Sequence, residues 1–388
     1  MRISFSKNNR NIFLPAFIVL VTLQPFLIWQ ATQLTNYICG ILMLFIAYNH
    51  AEFTKENIRM SFFFVICNLF YFLAGTTYKT FSPVFFLPLV FLILPKIYQK
   101  DIFEKFLSII SVIFALGFIT YFLRFFVDLP SFSLSPLNDL KKDFYDVYLF
   151  DVTLPQDKSL LPKFFSLFDE NGVVGTLCAL LISYKKLSIS SFTDKVILLA
   201  GIISFSLTFY IVLIINLVYN FNKRYVLIFP LLFFIYSIIP NTNTLNIYIL
   251  DRLKITEKGI SGDNRTSKYF DENFDYFISK GGNDILFGRG LFAEVKDDKY
   301  NIGLSSYKVL VYRHGILGCL LFLSFFTFLT WKLAPTSRGF FFLLIFILLL
   351  YQRINLFLYY NIVTFVGGLL MINYNQLVQD KLKKSALK

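Results

Sequence analysis

Charged residues make up only 16% of this 388-residue sequence, and it contains just two histidines, two tryptophans and four cysteines. Soluble domains carry about 25% charged residues, so a fold wetted on all sides is excluded. Cys39, Cys67, Cys178 and Cys319 each fall in or beside an apolar run and share no CxxC spacing. They read as small apolar packing residues, and neither a disulfide nor a metal site is expected. There is no Walker A loop, no GxGxxG after a strand, no GxSxG elbow and no HExxH. The usual grounds for ATP hydrolysis, nicotinamide chemistry and zinc proteolysis are therefore missing. Internal repeats and low-complexity tracts are also absent, so any chemistry must come from carboxylates, arginines and one histidine.

What is abundant is apolar: 56% of the chain, 19% of it aromatic. A bilayer crossing needs about 20 apolar residues to cover roughly 30 Å. Eleven blocks qualify as candidates: 12–29, 34–48, 60–75, 81–94, 106–126, 172–184, 196–219, 225–239, 314–331, 339–351 and 356–373. Their short connections at Lys55/Arg59, Lys96/Lys100/Lys105, Lys185/Lys186/Lys195, Lys223/Arg224, Lys332/Arg338 and Lys381/Lys383/Lys384 are basic, as is the amino terminus. By the positive-inside bias all of these are cytoplasmic. That holds only if the block 196–219 crosses twice, turning at the polar break Ser204-Phe205-Ser206. The expectation is therefore an all-α integral membrane protein: one polytopic domain over 1–388 with about twelve spans and both ends inside, eleven spans being the alternative. The amino terminus has no A-x-A site and is kept as a signal anchor.

The net charge of +13 then has a place. The segments assigned to the cytoplasm hold 19 Lys plus Arg and 6 Asp plus Glu, whereas the external ones hold 18 of each. The excess is a topological signal, and a nucleic-acid partner is dropped.

Two segments, 127–171 and 240–307, are too long and polar to be connectors and fall on the external side. Their aromatics, Phe144, Tyr145, Tyr148 and Phe150 in the first and Tyr269, Phe270, Phe274 and Phe277 in the second, argue against disorder. Phe270, Phe274 and Phe277 stand at i, i+4 and i+7, which predicts a short amphipathic helix lying on the membrane surface.

The reactive groups gather on the same side. Arg124, Arg252, Arg265, Arg289, Arg313 and Arg353 stand in or next to the external face. An interfacial arginine can simply snorkel. As a group, guanidiniums that stay charged and bind phosphate bidentately suit a diphosphate head group. Gly288 and Gly290 flank Arg289 and would let the backbone approach such a ligand, although a plain turn explains them equally well. Asp169 and Glu170 stand at the outer start of a span, where they either cap the helix or take a proton from an acceptor hydroxyl. His314 begins the span after the second loop, as a base or as a hydrogen-bonded anchor. His50 falls on the cytoplasmic side.

The order of Phe168-Asp169-Glu170-Asn171-Gly172, Ser204-Phe205-Ser206, Asp263-Asn264-Arg265, Gly288-Arg289-Gly290 and Tyr351-Gln352-Arg353, on a chain with two large external loops, resembles the Wzy-type oligosaccharide repeat-unit polymerases. These belong to the O-antigen polymerase and ligase superfamily. The resemblance covers most of the chain as layout, through short motifs. It implies a metal-independent, inverting glycosyltransferase without cofactor on the outer face of the bacterial cytoplasmic (inner) membrane. Such an enzyme moves a glycan from undecaprenyl diphosphate onto a new lipid-linked repeat unit, building O-antigen or capsular polysaccharide. Asp169, Glu170 and His314 are then the catalytic candidates. Arg124, Arg265, Arg289, Arg313 and Arg353 would bind the diphosphate and sugars, and a chain-length regulator and a flippase are the implied partners. Two alternatives stay open: an O-antigen ligase, whose external histidine His314 roughly matches, and a lipid-linked oligosaccharide flippase without covalent chemistry. The Ser-Phe-Ser break favours polymerase, since ligases tend to have Ser-Arg-Gly there.

Overall fold

The computed structural model describes residues 12–73, 86–135, 144–154, 162–185, 187, 189–220, 255–256, 259–260, 268–289, 306–352 and 358–386. Thirteen α-helices are seen among them: α1 Phe13–Thr22, α2 Thr32–His50, α3 Lys55–Leu73, α4 Phe86–Leu92, α5 Lys96–Leu123, α6 Asn171–Ser183, α7 Phe192–Ile203, α8 Leu207–Tyr219, α9 Lys268–Lys280, α10 Asn283–Phe287, α11 Tyr307–Leu333, α12 Ser337–Gln352 and α13 Tyr359–Ala386. Polar caps mark several starts. Ser191 accepts from the Asp194 N–H at α7, Ser306 from Lys308 at α11, and Thr336 from Gly339 at α12.

Three of the described helical stretches are long and apolar enough to cross a membrane: Phe26–His50, Lys96–Leu123 and Tyr307–Leu333. Along α2, Leu34, Ile41, Leu44 and Phe45 are exposed as one stripe that none of the described residues covers. Four large apolar side chains in such a row are unfavourable in water and suit lipid contact. The helices α1, α6, α8 and α12 are apolar but shorter. At 13 residues, α6 and α8 reach about 20 Å, less than the hydrocarbon core.

The helices alternate in direction. At one end Lys96 pairs with Glu56 at 2.6 Å, Lys100 lies over the Tyr374 ring at 5.0 Å, and Lys185 pairs with Asp194. Arg338 there donates to the Ser183 carbonyl and to Asn220 Oδ1, both at 2.8 Å, tying the start of α12 to the ends of α6 and α8. This is the lysine-rich end. At the other end stand the described parts of the segments 127–171 and 240–307. The contacts of Phe63 with Phe325, of Cys67 with Leu321 and of Phe70 with Gly318 run α11 antiparallel to α3, which brings the start of α11 to the loop end.

The block 196–219 turns back on itself, as its polar break predicts. Asn171 Nδ2 at the start of α6 donates to the Ser204 carbonyl at 2.7 Å, whereas Asn216 Nδ2, far along α8, donates to Ser183 Oγ at the end of α6 at 2.7 Å. Thus α7 runs antiparallel to α6, α8 returns beside it, and Ser204–Ser206 is the turn. Phe205 takes φ +49, Ser204 Oγ donates to the Gly201 carbonyl, and the turn presses on Gly175 of α6, where a Cβ would strike Ser206.

Several expectations need correction. The block 12–29 is two pieces, because Pro25 cannot continue a helix and pushes Gln24 out of the helical region, to φ +55. A 3-10 turn, Phe26–Ala31, follows and leads into α2. The described residues are mostly helical, as expected, but short strands are added to the helices. In the first loop β1 Phe132–Leu134, β2 Tyr145–Val147 and β3 Val152–Thr153 form an antiparallel sheet in the order β1-β2-β3, and β4 Ile255–Thr256 pairs with β5 Gly259–Ile260. Tyr145, Val147 and Val152 are buried in the main core, and Trp29 packs edge-on against Tyr145 at 5.3 Å, so the sheet is docked on the bundle. The helix predicted from Phe270, Phe274 and Phe277 is α9. Its apolar face is covered by Val309 and Tyr312 of α11 rather than laid on a membrane. The candidate span 225–239 and most of 240–307 lie outside the described residues.

Candidate functional site

The site residues expected from sequence stand at the loop end in two groups. Arg265 and Arg353 lie outside the described residues, as does Gly290.

The first group forms where α10 crosses α11. Gly288 (φ +78, ψ 172) and Gly315 (φ +66, ψ −179) both adopt a conformation open essentially to glycine alone. A Cβ on Gly288 would strike the Arg313 carbonyl, and one on Gly315 would strike the Leu286 carbonyl. Two backbones therefore touch directly, joined by a hydrogen bond from Arg289 N to the Tyr312 carbonyl at 2.9 Å. The glycine beside Arg289 serves this chain-on-chain crossing, which corrects the idea that it admits a ligand. Gly315 also interrupts α11, setting a short segment from Tyr307 apart from the stretch that the sequence begins at His314.

At the crossing, the Arg289 guanidinium lies over the rings of Phe277 and Tyr312, 5.4 Å from each centroid. Its Nε donates to Asp284 at 3.3 Å and its Nη1 to the Tyr312 hydroxyl at 3.2 Å, which leaves Nη2 without a partner among the described residues. The side chain is about one-third exposed. An oriented, partly free guanidinium of this kind can take an anionic oxygen. Arg313 is half-buried beside it. His314 is 1% exposed, its ring edge-on to Phe322 at 5.3 Å, so it sits below the surface of the crossing.

The second group is the end of α5 with the first loop. Arg124 donates to Asp151 at 2.6 Å and stacks over the Tyr148 ring at 4.6 Å. Asp151 is completely buried; Arg124 bonds its Oδ2, and the backbone N–H groups of Ser166 and Val152 lie near enough to favour its charged form. The guanidinium that the sequence offers to a diphosphate is thus already paired. Asp169 and Glu170 follow on the same loop, half-buried, with the Tyr145 hydroxyl donating to the Asp169 carbonyl at 2.8 Å. Glu170 is the N-cap residue of α6 but makes no capping bond with its side chain, and Asn171 is committed to the hairpin turn. An open pocket of about 280 Å³ lies against Arg124, lined by Tyr121, Phe125, Val127, Asp128, Leu129, Tyr148 and Pro162. Sequence reasoning missed Asp151 because its partner is 27 positions upstream and no spacing rule links them.

Burial pushes the Asp151 carboxyl from 3.8 up to about 7, against the pull of Arg124 and of the two backbone N–H groups. Between those values the fold holds a proton that the unfolded chain has released. Stability from this group therefore falls as pH rises from 3.8 to about 7. Asp151→Asn should remove that downward slope from the thermal midpoint of the purified protein. An identical slope in variant and wild type would show that Asp151 is not the group responsible.

No protein-family model matches the chain, and neither a curated protein nor a solved structure matches it.

Proposed function

We propose that the chain is a polysaccharide polymerase of the Wzy type. In this reading it crosses the bacterial cytoplasmic membrane twelve times and joins undecaprenyl-diphosphate-linked repeat units on the outer face, the loop end being outside. The observation that carries the reading is segregation. Arg124, Asp169, Glu170, Arg289, Arg313 and His314 come from four separate stretches of chain yet share one end of the bundle, while the lysine-rich connections occupy the other. The return of α7 and α8 at Ser204–Ser206 supports the sidedness, since a single crossing there would reverse every later segment.

In the reaction, an acceptor sugar hydroxyl attacks the anomeric carbon of the donor glycan. The bond to undecaprenyl diphosphate breaks with its electron pair on the diphosphate, and configuration inverts. Asp169 or Glu170 takes the hydroxyl proton, and Nη2 of Arg289 binds the charge growing on the leaving oxygen. The test is the surface glycan ladder of a strain lacking the gene. Single repeat units on the surface are expected. Polymer left unattached on its lipid would instead indicate a ligase, units stranded inside a flippase, and an unchanged ladder would sink all three.

A further inference from the structure

We infer that the open pocket at the end of α5 is a subsite for a neutral pyranose ring. Its volume, about 280 Å³, lies at the lower edge of the range of small-molecule sites, which suits one or two sugar rings and is too small for a lipid-linked unit. Its walls are fixed before any ligand arrives. Arg124 is held by Asp151 at 2.6 Å and backed by Tyr148, and the Tyr121 hydroxyl is tied to the Pro162 carbonyl at 2.7 Å. Little side-chain ordering is left to oppose binding.

Charge decides against the diphosphate and for the sugar. The positive charge of Arg124 is offset within the same pocket by the exposed carboxylate of Asp128, so the described walls carry no net positive charge for an anion. A guanidinium that donates and a carboxylate that only accepts are together what a pair of neighbouring sugar hydroxyls requires, since each hydroxyl both donates and accepts. Phe125, 43% exposed, adds an aromatic face on which the C–H side of a ring can lie. The Arg289 cluster also holds a carboxylate and aromatic rings, but its guanidinium keeps Nη2 without a partner among the described residues, whereas Arg124 is paired with a buried carboxyl group. The two groups thus divide the substrate, with Arg289 suited to phosphate oxygen and the α5 pocket to a sugar. The role of the pocket in holding a glycan ring during transfer rests on the polymerase reading, whereas the binding itself does not.

Saturation-transfer NMR on the full chain in phosphatidylcholine nanodiscs, free of sugar-headed detergent, tests it. The probes are the methyl glycosides of glucose, galactose, mannose, rhamnose and N-acetylglucosamine, with inorganic pyrophosphate as the anionic probe. At least one glycoside should receive saturation, most strongly on the C–H groups of one ring face. Phe125→Ala and Asp128→Asn should each weaken its binding roughly tenfold, the size expected for loss of one good contact. Leu149→Ser, on an exposed side chain of the same loop, should leave it unchanged. Thermal unfolding of each variant reports whether it is folded. Three results would overturn the assignment: no saturation on any glycoside, binding that survives both pocket substitutions, or displacement of the glycoside by pyrophosphate. Glycoside binding with an unchanged ladder in the deletion strain would leave this site standing and remove the polymerase reading. A lost ladder with no glycoside binding would do the reverse.

Discussion

Replacing Gly315 by alanine is expected to remove the folded protein from the membrane, with the same outcome for Gly288→Ala. Each glycine sits in a backbone region that other residues enter only at a cost of order 1–3 kcal/mol. Strain is the smaller part of the effect. The new Cβ at 315 would occupy the space of the Leu286 carbonyl, and the one at 288 that of the Arg313 carbonyl, so neither side of the crossing can relax by rotating a side chain. Separating the backbones breaks the Arg289–Tyr312 main-chain bond and lifts Phe270, Phe274 and Phe277 from Val309 and Tyr312. Each phenylalanine exposed again costs about 1.5–3 kcal/mol, and native stabilities are only about 5–15 kcal/mol. Gly318→Ala, three residues beyond Gly315, would meet the Phe70 ring, which can turn aside, and the His314 Cβ, which cannot, but no backbone carbonyl, and should be milder than either. The measurement is the amount of protein extracted in folded form and its melting transition. Wild-type behaviour for both Gly315→Ala and Gly288→Ala would show that the backbones do not meet as described.

That crossing marks the limit of what the sequence made legible. Glycine flanking Arg289 announces conformational freedom, but nothing local states whether a ligand or another stretch of chain uses it, and here the user is α11, some 25 residues further on. The helix of Phe270, Phe274 and Phe277 was readable for the same kind of reason and incomplete in the same way. A periodic stripe proves that a face is buried and is silent on whether lipid or protein buries it. The hairpin at Ser204–Ser206 was legible because two serines set close together in a long apolar run favour a turn, and basic connections on both sides called for an even number of crossings. The break at Pro25 was equally available and was overridden by the apolar run around it.

The strands failed for a different cause. Phe132-Ser133-Leu134 and Tyr145-Asp146-Val147 do alternate, but three residues are too few to stand out as a period, and what makes them strands is the pairing of Phe132 with Val147 across the loop and the docking of Tyr145 under Trp29. Asp151 belongs with them. Its burial and its partner Arg124 are both products of that docking, so its importance is invisible in Phe150-Asp151-Val152 read alone. The same pairing altered the expected role of Arg124. A guanidinium counted as a phosphate ligand from its position on the chain is, once the loop has folded, half of a buried ion pair.

Arg289→Ala is expected to abolish the glycan ladder or reduce it to the shortest chains while leaving the protein in the membrane. The side chain is partly exposed and its main-chain bond to Tyr312 survives truncation, so the crossing should hold. What is lost is a charge already aimed by Tyr312 and Asp284, and removal of one preorganised donor from a developing oxyanion typically slows the reaction about 10²–10³-fold. Arg289→Lys separates charge from geometry. An ammonium keeps the charge but cannot bond Asp284 and Tyr312 in a plane while presenting a third nitrogen to a phosphate oxygen, so it should restore only a small part of the ladder. Tyr312→Phe keeps the ring beneath the guanidinium and removes only the hydroxyl that orients it. It should therefore shorten the ladder less than Arg289→Ala does, by a factor nearer the tenfold that one hydrogen bond commands. The ordering matters more than any single value. Wild type above Tyr312→Phe, then Arg289→Lys, then Arg289→Ala is the signature of an arginine held in place to bind charge. A full ladder from Arg289→Ala, with membrane levels equal to wild type, would leave Arg289 as a structural pin of the crossing and move the diphosphate site elsewhere on the loop end.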